Sequence, residues 1–342
     1  MQKKTIHILS IESSCDDTGA AVLKNNEVLS NVIAGQEIHA AYGGVVPELA
    51  SRAHQQNIVP VVDQALKMAG ITKNQLDAIA FTQGPGLMGS LLVGTSFAKS
   101  LSIGLNLPLI PVNHMQAHVL AHFIKEDGHQ EPPYPFLCMT ISGGHTQILK
   151  VVAYNNFKIL GETIDDAVGE AFDKTAKLLN LGYPGGPRID EIAQKGNPEF
   201  VRFPRALNKK GNFNFSFSGL KTSIRNYLLN HNSSFINNHL ADITASVQAA
   251  IVDSLVFKTI NYARKRKSDK IIIAGGVSAN NLLRKSFKKQ ADKIGIDVVF
   301  PALEYCMDNA AMIGAAAVDK YKRKEFADLS LNAFSKKGLR FI

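Results

Sequence analysis

The chain has 342 residues, 45% hydrophobic and 20% charged, with three cysteines and a formal charge of +9. That length and balance suit a globular protein of two lobes and exclude a disulfide scaffold, a disordered chain and a membrane-spanning bundle, since Lys99 interrupts the longest apolar stretch, Gly84 to Val112. Charge is uneven: residues 1–150 carry 9 Lys/Arg against 11 Asp/Glu and the remainder 29 against 18, so a polyanion such as a nucleic acid would meet the second half.

Met1-Gln2-Lys3-Lys4 and the apolar Ile6 to Ile11 are too short for a signal peptide and run into Glu12, Asp16 and Asp17. They read as a strand, and Cys15, Cys138 and Cys306, widely spaced without C-x-x-C, fit a reducing cytoplasm. The strand returns through Thr18-Gly19 into Ala20 to Leu23, a hairpin whose turn carries carboxylates and hydroxyls. A helix is predicted over Gln55 to Met68 and a strand over Ala78 to Thr82. Gly84-Pro85-Gly86-Leu87-Met88-Gly89 then spells G-x-G-x-x-G before a helix over Leu87 to Gly104. A dinucleotide site needs an acidic residue roughly 20 positions on, and no carboxylate occurs between Ser90 and Lys125. The segment reads as a glycine turn for close helix packing, without NAD.

After Pro111, Asn113 is placed to cap a helix that opens with His114 and His118. Residues four apart share a helical face, so both imidazoles can converge on one cation; the alternative is a half-buried polar face, with His122 as a further ligand or its solvated end. No Glu follows His114, so the H-E-x-x-H protease pattern is not met, and a metal would need a ligand from elsewhere. A second hairpin follows, Phe136 to Ile141 and Thr146 to Val152 around Ser142-Gly143-Gly144-His145, whose glycines offer backbone N–H donors. Helices are predicted over Ala171 to Leu179 and Ala241 to Ala263. Lys270 to Ala274 then opens through Gly275-Gly276-Val277-Ser278-Ala279-Asn280 onto a helix from Asn281 to Ile294, a natural seat for phosphate or ribose. Arg264-Lys265-Arg266-Lys267, Arg284 to Lys293, Lys320 to Lys324 and Lys336-Lys337 are phosphate contacts or solvated helix faces. Asp308, before the apolar helix Asn309 to Val318, reads as an N-cap.

Two hairpins and a late strand–glycine–helix are the layout of a duplicated, two-lobed α/β actin-, hexokinase- and heat-shock-chaperone-like ATPase fold. It is expected to hold nucleotide and metal in a cleft between lobes 1–124 plus 311–342 and 125–310.

The motifs Glu12-Ser13-Ser14-Cys15-Asp16-Asp17-Thr18, Gly43 to Glu48, Lys99 to His118, Ser142 to Thr146, Gly169 to Lys174, Tyr183 to Gly186, Phe215 to Lys221, Gly275 to Asn280 and Asp308 to Met312 form an ordered set. With them the chain resembles, along nearly its whole length, the bacterial branch of the tRNA N6-adenosine threonylcarbamoyltransferases, formerly annotated O-sialoglycoprotein endopeptidases. The resemblance implies one divalent transition metal per subunit, Fe2+ or Zn2+, on His114, His118 and Asp308. It implies nucleotide contacts at Thr140, Ile141, Ser142, Gly143, Gly144, Asp173, Gly186, Asp190 and Asn280, and Asp16 is expected to orient substrate or take a proton. The implied reaction carries threonylcarbamoyl from threonylcarbamoyl-AMP to N6 of the adenosine 3′ of the anticodon in tRNAs reading codons that start with A, releasing AMP. The implied partners are tRNA, a smaller paralogous subunit forming a heterodimer, and a small ATPase, with no membrane. A metalloendopeptidase and an actin-like nucleotide-binding regulator are the alternatives.

Overall fold

A computed structural model describes residues 5–125, 131–209, 211–266 and 268–335. Met1 to Lys4, Lys267, Lys336 and Lys337 of the sequence reading lie outside these described residues. The chain forms two compact units, Met1–Pro133 with Met307–Ile342, and Tyr134–Cys306. The boundaries expected from sequence were 124/125 and 310/311; the contacts instead put Asp308 in the unit that carries the two histidines.

The first unit contains β1 (His7–Glu12), β2 (Thr18–Lys24), β3 (Glu27–Ala34), α1 (Pro47–Ala69), β4 (Ala78–Gly84), α2 (Met88–Leu105), β5 (Leu109–Asn113) and α3 (His114–Leu120). The second contains β6 (Phe136–Ile141), β7 (Thr146–Ala153), β8 (Asn156–Glu162), α4 (Val168–Leu178), α5 (Gly185–Ala193), α6 (Ser218–Leu229), α7 (Ser233–Asn238), α8 (Leu240–Arg266), β9 (Lys270–Ala274), α9 (Asn281–Asp292) and β10 (Asp297–Val299). The chain then returns to the first unit with α10 (Ala310–Lys322).

Both sheets have five strands, ordered β3-β2-β1-β4-β5 and β10-β9-β6-β7-β8. In each, three consecutive strands pair antiparallel and two more add in parallel to the first. The plan is therefore duplicated strand for strand, although the halves do not align by eye. The edge strands β3 and β8 were absent from the sequence reading because their burial is patchy.

β1 is buried along nearly its whole length, as a strand covered on both faces must be. Leu9 and Ile11 point into a core with Ile58, Val61 and Ala65 of α1. On the other face Ser10 Oγ donates to Ala310 O at 2.7 Å, bringing α10 against the sheet. α1 starts at Pro47, well before the predicted Gln55, because proline suits a first helical position and Glu48 complements the dipole there. In the second unit Leu137, Met139 and Ile141 of β6 face a core built from α4, α5, α6, α8 and α9. α8, predicted over Ala241 to Ala263, is long and apolar enough by composition to cross a bilayer, but 72% of its most apolar window is buried in this unit.

Candidate functional site

At the end of β5, Asn113 accepts from Gln116 N at 3.1 Å and caps α3, every residue of which is buried. The His114 and His118 rings meet edge to face, 4.7 Å between centroids. Asp308 Oδ1 lies 3.4 Å from His114 Nε2 and 3.0 Å from His118 Nε2. The capping role considered for Asp308 belongs to its neighbour: Asn309 Oδ1 accepts from Met312 N at 2.9 Å, which leaves the Asp308 carboxylate to face the imidazoles. One ligand atom from each of the three residues lies within 4.8 Å of the others, and no further group of this kind occurs among the described residues. His122 is buried, not a solvated end, and stands outside the trio.

The donor set fits a transition metal. Two imidazoles and a carboxylate with metal bonds of about 2.0–2.2 Å are separated by roughly 3–3.5 Å around one ion, and the carboxylate–imidazole distances here are 3.4 and 3.0 Å. Three protein ligands leave coordination positions open, as in catalytic sites, and the mixed set accepts iron or zinc.

Glu12 stands behind His114 and was not assigned from sequence. Its carboxylate is 1% exposed. Oε2 lies 3.1 Å from His114 Nδ1 and accepts from Thr82 Oγ1 at 2.6 Å, while Oε1 accepts from Ser14 N at 2.5 Å. Burial opposes charge on Glu12, His114 and Asp308. For His114 the carboxylates of Asp308 and Glu12 outweigh burial and raise its pKa well above the usual value. In return, His114 keeps Glu12 and Asp308 below the ordinary carboxylate range against the same burial penalty.

Asp16 and Asp17 are half-buried in the turn that follows Glu12. Burial, followed by the charges of Asp16, Asp308 and Glu12, pushes Asp17 up to about 7. His54 holds the turn, with Nδ1 2.7 Å from Thr18 Oγ1 and Nε2 3.0 Å from Cys15 O. The G-x-G-x-x-G segment packs directly on this turn: Leu87 N donates to Ser14 O at 2.8 Å, and a Cβ on Gly86 would lie 2.4 Å from that same oxygen. Its glycines serve close approach, as read from sequence, and leave no cradle for a pyrophosphate.

In the second unit the two glycine turns meet. Thr140 of β6 pairs with Ala274 of β9, so Ser142-Gly143-Gly144 and Gly275 to Asn280 emerge together at the carboxyl ends of parallel strands, where open α/β sheets seat ligands. Gly275 has φ +90°, and a Cβ there would lie 2.5 Å from Ile141 O. Gly143 and Gly144 are exposed with nothing within 4 Å of a would-be Cβ, so their backbone can be approached. Thr140 and Ile141 have their side chains consumed by the hairpin and the core, which leaves only backbone for a ligand.

Asn280 caps α9, accepting from Leu283 N at 2.9 Å. Asp190 is buried and accepts from Gln248 Nε2 at 2.7 Å, Asn281 Nδ2 at 2.8 Å and Asn281 N at 3.1 Å, tying α5 to α8 and α9. Gln248 also donates to Asn280 Oδ1 at 3.3 Å and is a site member that sequence did not reveal. Asp173 Oδ1 accepts from Gly185 N at 2.8 Å beside the half-buried Gly186. The basic clusters differ in availability. Arg284 is spent on Ser278 O and Pro301 O, and Lys320 and Lys322 face Glu325 and Asp319, whereas Arg264, Lys265, Arg266, Lys285, Lys288, Lys289 and Lys293 are exposed.

The family model for tRNA N6-adenosine threonylcarbamoyltransferase (TsaD) matches residues 27–315. A protein of that name from Christiangramia forsetii is 56% identical over 339 residues, covering 98% of this chain and 99% of the relative. Another, from Phocaeicola vulgatus, is 54% identical over 334 residues, 96% of this chain and 98% of the relative. Among solved structures, HypF from T. kodakarensis superposes with a TM-score of 0.61 at 15% identity, covering 92% of this chain and 48% of that one. The activator of 2-hydroxyisocaproyl-CoA dehydratase from Clostridium difficile, with bound ADPNP, gives 0.51 at 14% identity over 94% of this chain and 99% of that one. These structural likenesses show the two-lobed α/β fold alone.

Proposed function

The chain belongs to the tRNA N6-adenosine threonylcarbamoyltransferase family, and from that premise we propose a metal-dependent acyl transfer onto tRNA in which His114, His118 and Asp308 hold one divalent transition metal, Fe2+ or Zn2+. The observation that carries this reading is the convergence of two buried imidazoles on one half-buried carboxylate. The family membership also displaces the peptidase and regulator alternatives.

When bound, the metal supplies Lewis acidity toward a carbonyl or a template for the threonyl group. The chain's own groups supply position. The exposed Ser142-Gly143-Gly144 turn and the α9 N-terminus present backbone donors to the adenylate phosphate. Asp190 spends three acceptor sites on Gln248 and Asn281 and, like Asp173, keeps room for a ribose hydroxyl. Gly186 and Asn280 flank the sugar or base. The N6 lone pair of adenosine attacks the carbamoyl carbon, the bond to the phosphate oxygen breaks with its electron pair leaving on AMP, and N6 gives up a proton. Asp16, in the turn beside the trio, orients the amine or accepts that proton. Holding donor and amine together accounts for much of the rate.

Exposed Lys and Arg on α8 and α9 meet the tRNA phosphates in this reading. Val59 and Met68 of α1 with Met88, Leu92 and Ile103 of α2 are exposed apolar residues that suit a protein partner, in this proposal the smaller paralogous subunit; a small ATPase completes the assembly in the cytoplasm. The test is reconstitution with labelled threonine, bicarbonate, ATP, a threonylcarbamoyl-adenylate synthase, the partner proteins and a tRNA reading codons that begin with A. Label should appear on the adenosine 3′ of the anticodon. If the synthase makes its adenylate and the tRNA stays unlabelled, the reading fails.

A further inference from the structure

We propose that Glu12 is a positioning residue for the metal centre: its buried carboxylate fixes His114 with Nδ1–H pointing backward and Nε2 toward the ion, a role that rests on the metal reading above. The geometry is that of a carboxylate–histidine–metal relay. Glu12 Oε2 is 3.1 Å from His114 Nδ1, and the opposite nitrogen, Nε2, faces Asp308 at 3.4 Å. Glu12 is itself fixed by Thr82 Oγ1 at 2.6 Å and Ser14 N at 2.5 Å, so it cannot swing round to become a ligand without abandoning both. Ser14 Oγ, 3.2 Å from the same Nδ1, completes the cradle.

Charge points the same way. Imidazoles that ligate a metal are neutral, so buried Glu12 and half-buried Asp308 would then bring two negative charges that a divalent ion balances. The two histidines also differ. His118 Nδ1 is buried without a hydrogen-bond partner, so the orienting carboxylate serves His114. Outer partners of this kind tune metal affinity through ligand basicity and ring orientation.

The experiment uses the full chain, measuring Zn2+ and Co2+ affinity by chelator competition, the visible spectrum of the Co2+ form, and the melting temperature of the metal-free protein. Glu12→Gln, which keeps size and one acceptor, should weaken metal binding about 10- to 100-fold and shift the cobalt bands, with a cooperative metal-free melting transition showing that the variant is folded. Thr82→Val should cause a smaller loss in the same direction, and it decides the matter should Glu12→Gln fail to fold. Affinity within about twofold of wild type in a folded Glu12→Gln, or in Thr82→Val if the first variant does not fold, overturns the proposal. A wild-type chain that binds no more metal than His114→Ala/His118→Ala overturns the metal reading itself, a distinguishable result.

Discussion

In the first unit the turn between β1 and β2 holds Glu12, Cys15, Asp16 and Asp17; in the second the equivalent turn, between β6 and β7, is Ser142-Gly143-Gly144-His145. The glycine segments after β4 and β9 also correspond, yet the first is closed against Ser14 and the second opens onto the N-terminus of α9. One strand plan thus carries two chemistries. Carboxylates and imidazoles in the first unit suit a cation, whereas backbone N–H groups in the second suit an anion. The trio lies wholly in the first unit: His114 follows β5, and Asp308 stands where the chain re-enters this unit, just before α10 packs on β1.

The sharpest way to break this division is His114→Ala/His118→Ala. Metal content should fall from about one ion per chain to background, and transfer to tRNA about a thousandfold, the scale that several kcal/mol of lost electrophilic assistance implies. Adenylate binding, assigned to the other unit, should persist. Retention of metal by the variant, or a rate loss below about tenfold, would remove the first unit's claim to the cation.

Asp190→Ala probes the opposite unit. It leaves Gln248 Nε2, Asn281 N and Asn281 Nδ2 without their shared acceptor at a buried position, so unfolding should become about 2–4 kcal/mol easier. Metal content per folded chain should not change. Were both to fall together, the two sites would not be energetically separate.

A smaller contrast lies within one seat. Gly275→Ala puts a Cβ 2.5 Å from Ile141 O at φ +90° and should cost about 1–3 kcal/mol of stability. Gly143→Ala meets nothing within 4 Å and should leave stability within about 0.5 kcal/mol of wild type while raising KM for the adenylate several-fold. Unaltered adenylate kinetics in Gly143→Ala would argue that this turn is not the phosphate seat.

Legibility followed the range of the interaction. The shared face of His114 and His118 and the cap at Asn113 are local, and both stand in the structure as the spacing implied. Asp308 is 190 residues from His118, so no spacing rule joins them; adjacent Asp308 and Asn309 were equally able to cap α10, and only the fold shows Asn309 doing so. Glu12 looked like one more polar turn residue, because its burial arises only once β1 is central in its sheet. α8 stands close to the predicted Ala241 to Ala263, but its deep burial was not legible because Thr244, Ser254 and Thr259 interrupt the apolar run; each hydroxyl donates to the carbonyl four residues back, which lets it sit buried.

The last prediction follows from a buried charge in the second unit that has no counter-ion among the described residues. Lys258 is 1% exposed, donates from Nζ to Leu207 O at 2.9 Å and to Asn214 O, and lies 5.3 Å from the Phe215 ring centre. These are dipoles and a ring face, not a carboxylate, and burial lowers its pKa from 10.5 to about 8. A depressed lysine means that between those values the unfolded chain binds more protons than the folded one, so this residue's contribution to stability rises with pH. Below about 8 both states hold the proton and the contribution is flat at its least favourable. The difference in unfolding free energy between wild type and Lys258→Met, followed by denaturant titration, should therefore be level from pH 6 to 7.5 and climb in favour of wild type toward pH 10, with a slope no steeper than the one-proton limit of about 1.4 kcal/mol per pH unit. Parallel curves across that window would mean the lysine is compensated as fully as Glu12 and Asp308 are, and the contrast between a charge-balanced unit and an unbalanced one would not hold.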